Sequence, residues 1–232
     1  MHSVSRATGQ RQRSIIASIT WTHPGIARVI DAIPPDTRRL LDVGCGRGIV
    51  GALCRIYRKC DRLVGVDGHG PALELCRRHS FYDELLEWDL TNASLPFGDG
   101  DFDVVTCVEV IEHLSRETGE TLLSDLERIG KRVVVTTPNG FLDQGELDDN
   151  PYQRHLSGWT VRDFRRRGYR VYGVGGMRVF GGHRRYLSSA LGPLTRYVPS
   201  LSELLLCVRP PGGGSPPRHP LPPPTPPPAG IP

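Results

Sequence analysis

No stretch of this 232-residue chain approaches the ~18 uninterrupted apolar residues of a membrane-spanning helix, so no span is expected. The segment Met1–Thr20 carries Arg6, Arg11 and Arg13 but no long apolar core and no clear cleavage site, so no secretory signal is expected. The six cysteines include no CxxC pair, and several fall in apolar strand or helix patterns. Reduced, buried thiols in a cytoplasmic protein are the expectation. Lysine is nearly missing, with only Lys59 and Lys131. Acid is nearly missing from the last third: residues 152–232 carry a net charge of +10, whereas residues 1–151 carry −6. A basic third suits an anionic partner such as RNA, a phospholipid or a nucleotide sugar, although a general arginine bias accounts for the same charge. No protein partner is identifiable.

What is present divides the chain into an N-terminal segment (1–24), one globular domain (25–209) and a tail (210–232). The tail is almost entirely Pro, Gly and small polar residues, which predicts disorder or extended polyproline II, with PxxP patterns that suit an aromatic groove. Within the domain, short apolar runs alternate with helical stretches, the mark of a parallel sheet. Strands are predicted at Arg39–Val43, Arg62–Asp67, Glu84–Trp88, Phe102–Cys107, Lys131–Thr137, Tyr169–Gly175 and Ser202–Val208. Helices are predicted at Gly48–Tyr57, Pro71–His79, Glu117–Ile129 and Val161–Arg167. Thr160 and Asp163 start the last helix and Gly168 stops it. The fold class is therefore α/β: a doubly wound, mostly parallel seven-stranded sheet in a single domain. An excursion (Met177–Pro199) separates its last two strands. Its ligand belongs at the carboxyl edge of the strands.

The first strand runs into Asp42-Val43-Gly44-Cys45-Gly46-Arg47-Gly48. Glycine allows a sharp turn and close approach of backbone to ligand, and the following helix aims its free N–H groups at the same place. Gly46 to Gly51 also satisfies the dinucleotide GxGxxG spacing, and Asp67 lies where a ribose contact belongs. A nicotinamide-dependent oxidoreductase is thus an alternative. Against it, the glycine run starts at Gly44, two residues before that fingerprint. Asp42 sets a carboxylate just before the loop, which repels a pyrophosphate but attracts an ammonium or a sulfonium. A third acid, Asp89, comes after the third strand beside Leu90. Acids after three successive strands suit a ligand with an amine, a ribose and an adenine.

In order and spacing, Asp42–Gly48, Val64–Asp67, Asp89-Leu90 and Phe102–Val105 resemble the motifs of the class I, Rossmann-like, S-adenosylmethionine-dependent methyltransferases. The resemblance covers about residues 38–140. It implies that Asp42 faces the methionine amino group. Gly44, Cys45 and Gly46 line the methionine moiety, Asp67 binds the ribose hydroxyls, and Asp89 with Leu90 holds the adenine.

After the fourth strand comes Glu109-Val-Ile-Glu112-His113. Offsets of three and four place these ionisable groups on one helical face at the carboxyl edge. Two close carboxylates repel, and a divalent cation such as Mg²⁺ or Mn²⁺ offsets that. His155, in the loop after the fifth strand, is the candidate fourth ligand. The arrangement is similar to that of two groups of enzymes, the Hen-type small-RNA 2′-O-methyltransferases and the quinone-biosynthesis O-methyltransferases. With the former the chain shares Thr137-Pro138-Asn139, His155 ahead of Trp159-Thr160, and Gly173–Gly176 after strand six. The acidic loop between Asn139 and His155, with Asp143, Glu146, Asp148 and Asp149, departs from an RNA-binding lining.

The expected reaction is methyl transfer to a small-molecule hydroxyl, assisted by a divalent metal held by Glu109, Glu112, His113 and His155. His113 or His155 serves as the base if there is no metal. Tyr152 and Trp159 are candidates for the acceptor pocket. RNA 2′-O-methylation is the alternative, and a noncatalytic adaptor acting through the proline tail is a third reading.

Overall fold

The computed structural model describes residues 25–91, 94–146, 150–177 and 192–212. The N-terminal segment, nearly all of the proline-rich tail and much of the Met177–Pro199 excursion lie outside the described residues. The described elements are α1 (Ile26–Ala32), β1 (Arg39–Val43), α2 (Ile49–Tyr57), β2 (Arg62–Asp67), α3 (Gly70–His79), β3 (Glu84–Glu87) and β4 (Phe102–Val108). They continue with α4 (Arg116–Ile129), β5 (Gly130–Pro138), α5 (Val161–Arg166), β6 (Arg170–Met177), α6 (Gly192–Tyr197) and β7 (Ser202–Arg209). The sheet order is β3-β2-β1-β4-β5-β7-β6, with β7 antiparallel to both neighbours.

Burial explains why these runs are strands. Val133, Val134 and Val135 of β5 are all fully buried, because helices cover both faces of the sheet. One face packs on Leu122, Leu123, Leu126 and Phe164, from α4 and α5. The other packs on Val29, Ile30, Val50 and Leu73, from α1, α2 and α3. At the start of α5, Asp163 accepts from both the N–H (2.8 Å) and the hydroxyl (2.7 Å) of Thr160. Gly168, at φ +83°, lies just past the helix end.

Two expectations are corrected. The Gly173–Gly176 run does not come after the sixth strand but lies inside it, where a Cβ at Gly173 would overlap the Thr195 carbonyl. The residues after Val108 do not begin a helix. Ile111–His113 is a single 3-10 turn, and α4 starts only at Arg116 after the Ser115 cap.

Candidate active site

The carboxyl edge holds a cleft of about 110 Å³. Its first wall is the glycine loop. Gly44 (φ +70°) and Gly46 (φ +52°) adopt the left-handed conformation that L side chains resist. The loop is folded back on β2: the N–H groups of Gly44 and Cys45 both donate to the Val66 carbonyl, at 2.7 and 3.0 Å. The two glycines differ in surroundings. A Cβ at Gly44 would overlap the Val110 side chain, whereas a Cβ at Gly46 meets nothing within 4 Å, so Gly46 borders open space.

Asp67 joins this loop to the next. Its carboxylate accepts from the Gly46 N–H and from the His69 N–H, both at 2.8 Å. Asp89 shapes the third loop by accepting from the Thr91 N–H (2.9 Å) and hydroxyl (2.7 Å). Asp67, Asp89 and Leu90 line the cleft with Gly44 and Gly46. Gly68 is there too, and a Cβ on it would lie 3.2 Å from the Tyr152 ring.

Asp42 and Cys45 do not line the cleft. Asp42 is 1% exposed, and its two oxygens accept from the Tyr82 hydroxyl (2.6 Å) and the Thr106 hydroxyl (2.7 Å). In this position the carboxylate braces β1, β4 and Tyr82. Burial pushes its pKa up to about 6 against the two hydrogen bonds. Cys45 points into the core beside Gly65 and is 5% exposed. Tyr82, which no motif flagged, lies buried against Gly51.

The second wall carries the ionisable cluster. Glu109 sits at φ +53°, uncommon for a residue with a side chain, and its N–H donates to the Thr136 carbonyl at 3.1 Å. Because the chain turns there instead of entering a helix, the shared helical face does not exist. Ligand atoms of Glu112, His113 and His155 nevertheless lie within 4.8 Å of one another, a group that excludes Glu109. Glu109 and His113 line the cleft, while Glu112 and His155 are buried behind them.

His155 arrives through backbone hydrogen bonds. The Leu156 and Ser157 N–H groups donate to the Glu112 carbonyl (2.7 and 3.1 Å). The Ser157 hydroxyl and the Trp159 indole N–H donate to the Ile111 carbonyl (3.2 and 3.3 Å). Trp159, fully buried on α4, is therefore a fastening and not part of an acceptor pocket. Tyr152 does line the cleft, with Asn150 and Gln153.

The electrostatics of the cluster are unspent. Neither carboxylate oxygen of Glu112 has a hydrogen-bond partner, although the side chain is buried. Burial first, and repulsion from Glu109 second, hold its pKa well above the carboxylate range, against a smaller opposing pull from its own backbone N–H and the Thr137 hydroxyl, which lie near without completing hydrogen-bond geometry. His113 Nδ1 faces the Arg154 carbonyl at 3.2 Å, and His155 Nδ1 faces the Leu142 carbonyl at 2.7 Å. A carbonyl only accepts, so each Nδ1 carries the proton and each Nε2 keeps a lone pair in the neutral ring. Burial lowers the His113 pKa, favouring that neutral form.

Comparison with known proteins agrees with this geometry. Residues 41–134 match a family model described as a methyltransferase domain. The chain is 30% identical over 109 residues to the mitochondrial ubiquinone biosynthesis O-methyltransferase of Schizosaccharomyces pombe, covering 43% of this chain and 38% of that protein. It spans less than half the length of the curated relatives it matches. Among solved structures, an adenosylmethionine-dependent methyltransferase from Archaeoglobus fulgidus superposes with a TM-score of 0.52 at 18% identity, covering 79% of this chain and 91% of that one. The methyltransferase domain of a bacterial Hen1 superposes with a TM-score of 0.52 at 21% identity, covering 81% of this chain and 97% of that one. At such identities the superpositions speak for the fold. Residues 41–134 thus resemble a methyltransferase domain, and the strand order carries the Rossmann-like methyltransferase fold through β7.

Proposed function

We propose that this protein transfers the methyl group of S-adenosylmethionine to a hydroxyl oxygen of a small molecule at the Glu112–His113–His155 cluster. The observation that carries the reading is the Glu112 carboxylate, buried without a partner beside two imidazoles and directly behind the cleft wall. A buried acceptor left unsatisfied costs about 1–3 kcal/mol, and more when charged, so a fold retains it for a ligand. The relatives named as ubiquinone biosynthesis O-methyltransferases support an oxygen acceptor of small size. The acidic residues Asp143 and Glu146 near the cluster disfavour a phosphate backbone.

The cofactor supplies an electrophilic methyl on a sulfonium. The cradle at Gly46 fits a ligand that a Cβ would displace, and Asp67 and Asp89 suit its ribose and adenine. The donor set of one orphaned carboxylate and two imidazoles fits a divalent cation, and the Glu109 carboxylate adds negative charge beside Glu112. When bound, such an ion lowers the pKa of a coordinated hydroxyl. The chain's own residues do the rest. Where no ion is held, His113, on the cleft, takes the acceptor proton at Nε2 instead, while its Nδ1–H stays on the Arg154 carbonyl. Tyr152 and Leu114 exclude water, and most of the rate comes from alignment.

The test is an acceptor screen with labelled adenosylmethionine across phenols, sugars, lipids and short RNA, with and without a chelator. Transfer to a small hydroxyl compound, lost on chelation and restored by Mg²⁺ or Mn²⁺, is expected. Full activity in a preparation free of metal by elemental analysis sinks the metal's role. Transfer confined to RNA sinks the small-molecule acceptor.

A further inference from the structure

On the α1-covered face of the sheet, away from the glycine loop, lies a second and larger cleft of about 690 Å³. Its floor is the period-two face of the C-terminal strands. Arg170 and Tyr172 of β6 sit opposite Val208 and Leu206 of β7, and Arg132 comes from the start of β5. One wall is α1, with Arg28 and Asp31, and another is α6, with Arg196 and Tyr197. Four arginines thus converge on one cavity against a single acid.

These arginines differ from others in the chain. Arg55, Arg62, Arg116, Arg128 and Arg167 each meet a carboxylate within 3.1 Å. The guanidinium groups of Arg28, Arg132, Arg170 and Arg196 have no ion-pair or hydrogen-bond partner among the described residues. Convergent guanidinium groups without counter-ions leave a strong positive potential in a concave site, which favours a multiply charged anion. The volume falls within the roughly 300–1,000 Å³ of small-molecule sites. Tyr172 and Tyr197 add aromatic surface for a planar ring. The cofactor cleft is of opposite character, lined by Asp67, Asp89 and Glu109 and, among the described residues, by no arginine or lysine. It also opens at the carboxyl ends of the parallel strands, whereas Arg132 stands near the amino end of β5.

We infer that this arginine-lined cleft is a second binding site, separate from the methyl-transfer site, for a polyphosphate-bearing small molecule of nucleotide size. The full chain, saturated with adenosylhomocysteine to block the cofactor cleft, is titrated calorimetrically with ATP, with AMP and with a short single-stranded oligonucleotide. ATP is expected to bind one site at least tenfold more tightly than AMP. Arg132→Ala/Arg170→Ala, with both arginines on exposed or half-buried strand positions, should weaken ATP at least tenfold. Adenosylhomocysteine affinity and melting temperature should be unchanged in that variant. The proposal is overturned if ATP does not bind, if adenosylhomocysteine displaces it, or if the double variant binds it as well as the parent. Tighter binding of the oligonucleotide than of ATP overturns it too, in favour of a nucleic-acid surface. If the double variant fails to fold, Arg28→Ala/Arg196→Ala, on the helix walls, supplies the same comparison.

Discussion

The two walls of the cofactor cleft are built on opposite principles. On the glycine-loop side, the polar groups are already used. Asp67 ties two loops through backbone N–H groups, Asp89 shapes its own turn, and Asp42 is closed off by Tyr82 and Thr106. On the cluster side, the Glu112 carboxylate is buried with neither oxygen hydrogen-bonded, beside His113 and His155, which each turn Nδ1 to a backbone carbonyl. On the function proposed above, the first wall would hold the ligand and the second would react, because satisfied groups give shape and unsatisfied buried ones give chemistry.

The largest effect expected from breaking this contrast comes at Glu112. Glu112→Gln keeps the shape but removes the charge, and turnover should fall about a thousandfold, which is roughly 4 kcal/mol of transition-state stabilisation. Adenosylhomocysteine affinity should stay within about threefold, since that ligand is held by the other wall. Steady-state kinetics beside calorimetry decides it, and a variant that loses cofactor binding instead would erase the division between the walls.

Gly46→Val tests the holding wall. Its branched side chain fills the open cradle, and affinity for adenosylhomocysteine should fall at least about a hundredfold, near 3 kcal/mol, in a protein that remains folded by circular dichroism. Gly44 sharpens the comparison, because a Cβ there strikes the packed Val110 side chain, whereas one at Gly46 enters open space. Gly44→Ala should show mainly in stability, by about 2–3 kcal/mol. Unchanged affinity in Gly46→Val refutes this placement of the cofactor.

The smallest effect belongs to Asp42, and it concerns pH. The folded-state pKa is raised from 3.8 to about 6, so the fold prefers the protonated carboxyl. The associated stability is fully present below about pH 4 and is lost as pH rises through about 6, a change on the order of 2–3 kcal/mol. Thermal melts of the parent across pH 4–7 should therefore show a fall in stability that Asp42→Asn, which lacks the titrating group, does not. Equal pH dependence in the two proteins would show that the brace titrates as an ordinary acid.

How much of this was legible depends on distance along the chain. The glycine loop and the acids after β2 and β3 could be read directly, since local residue order dictates the turn at the end of each strand. Glu109, Glu112 and His113 were legible as a group but not in geometry. Helical spacing was assumed where Glu109 turns left-handed and a 3-10 turn intervenes. Sequence alone leaves Trp159 open between pocket and packing, because an aromatic in a loop carries no mark of the carbonyl it will bind. Nothing in its sequence surroundings set Tyr82 apart, since its partners Asp42 and Gly51 come from other elements.

Alternation of apolar runs, glycine placement and capping residues determined the α/β class, the strand sequence and the cofactor loop, because those depend on neighbours a few residues apart. Tertiary structure alone decided that Asp42 is a brace and Gly44 a packing site. It alone moved His155 beside Glu112, forty-three positions earlier in the chain, and turned scattered arginines of α1, β5, β6 and α6 into one cleft. Each of these depends on which side chain meets which across the sheet or between loops, and that meeting is fixed by packing and long-range hydrogen bonds.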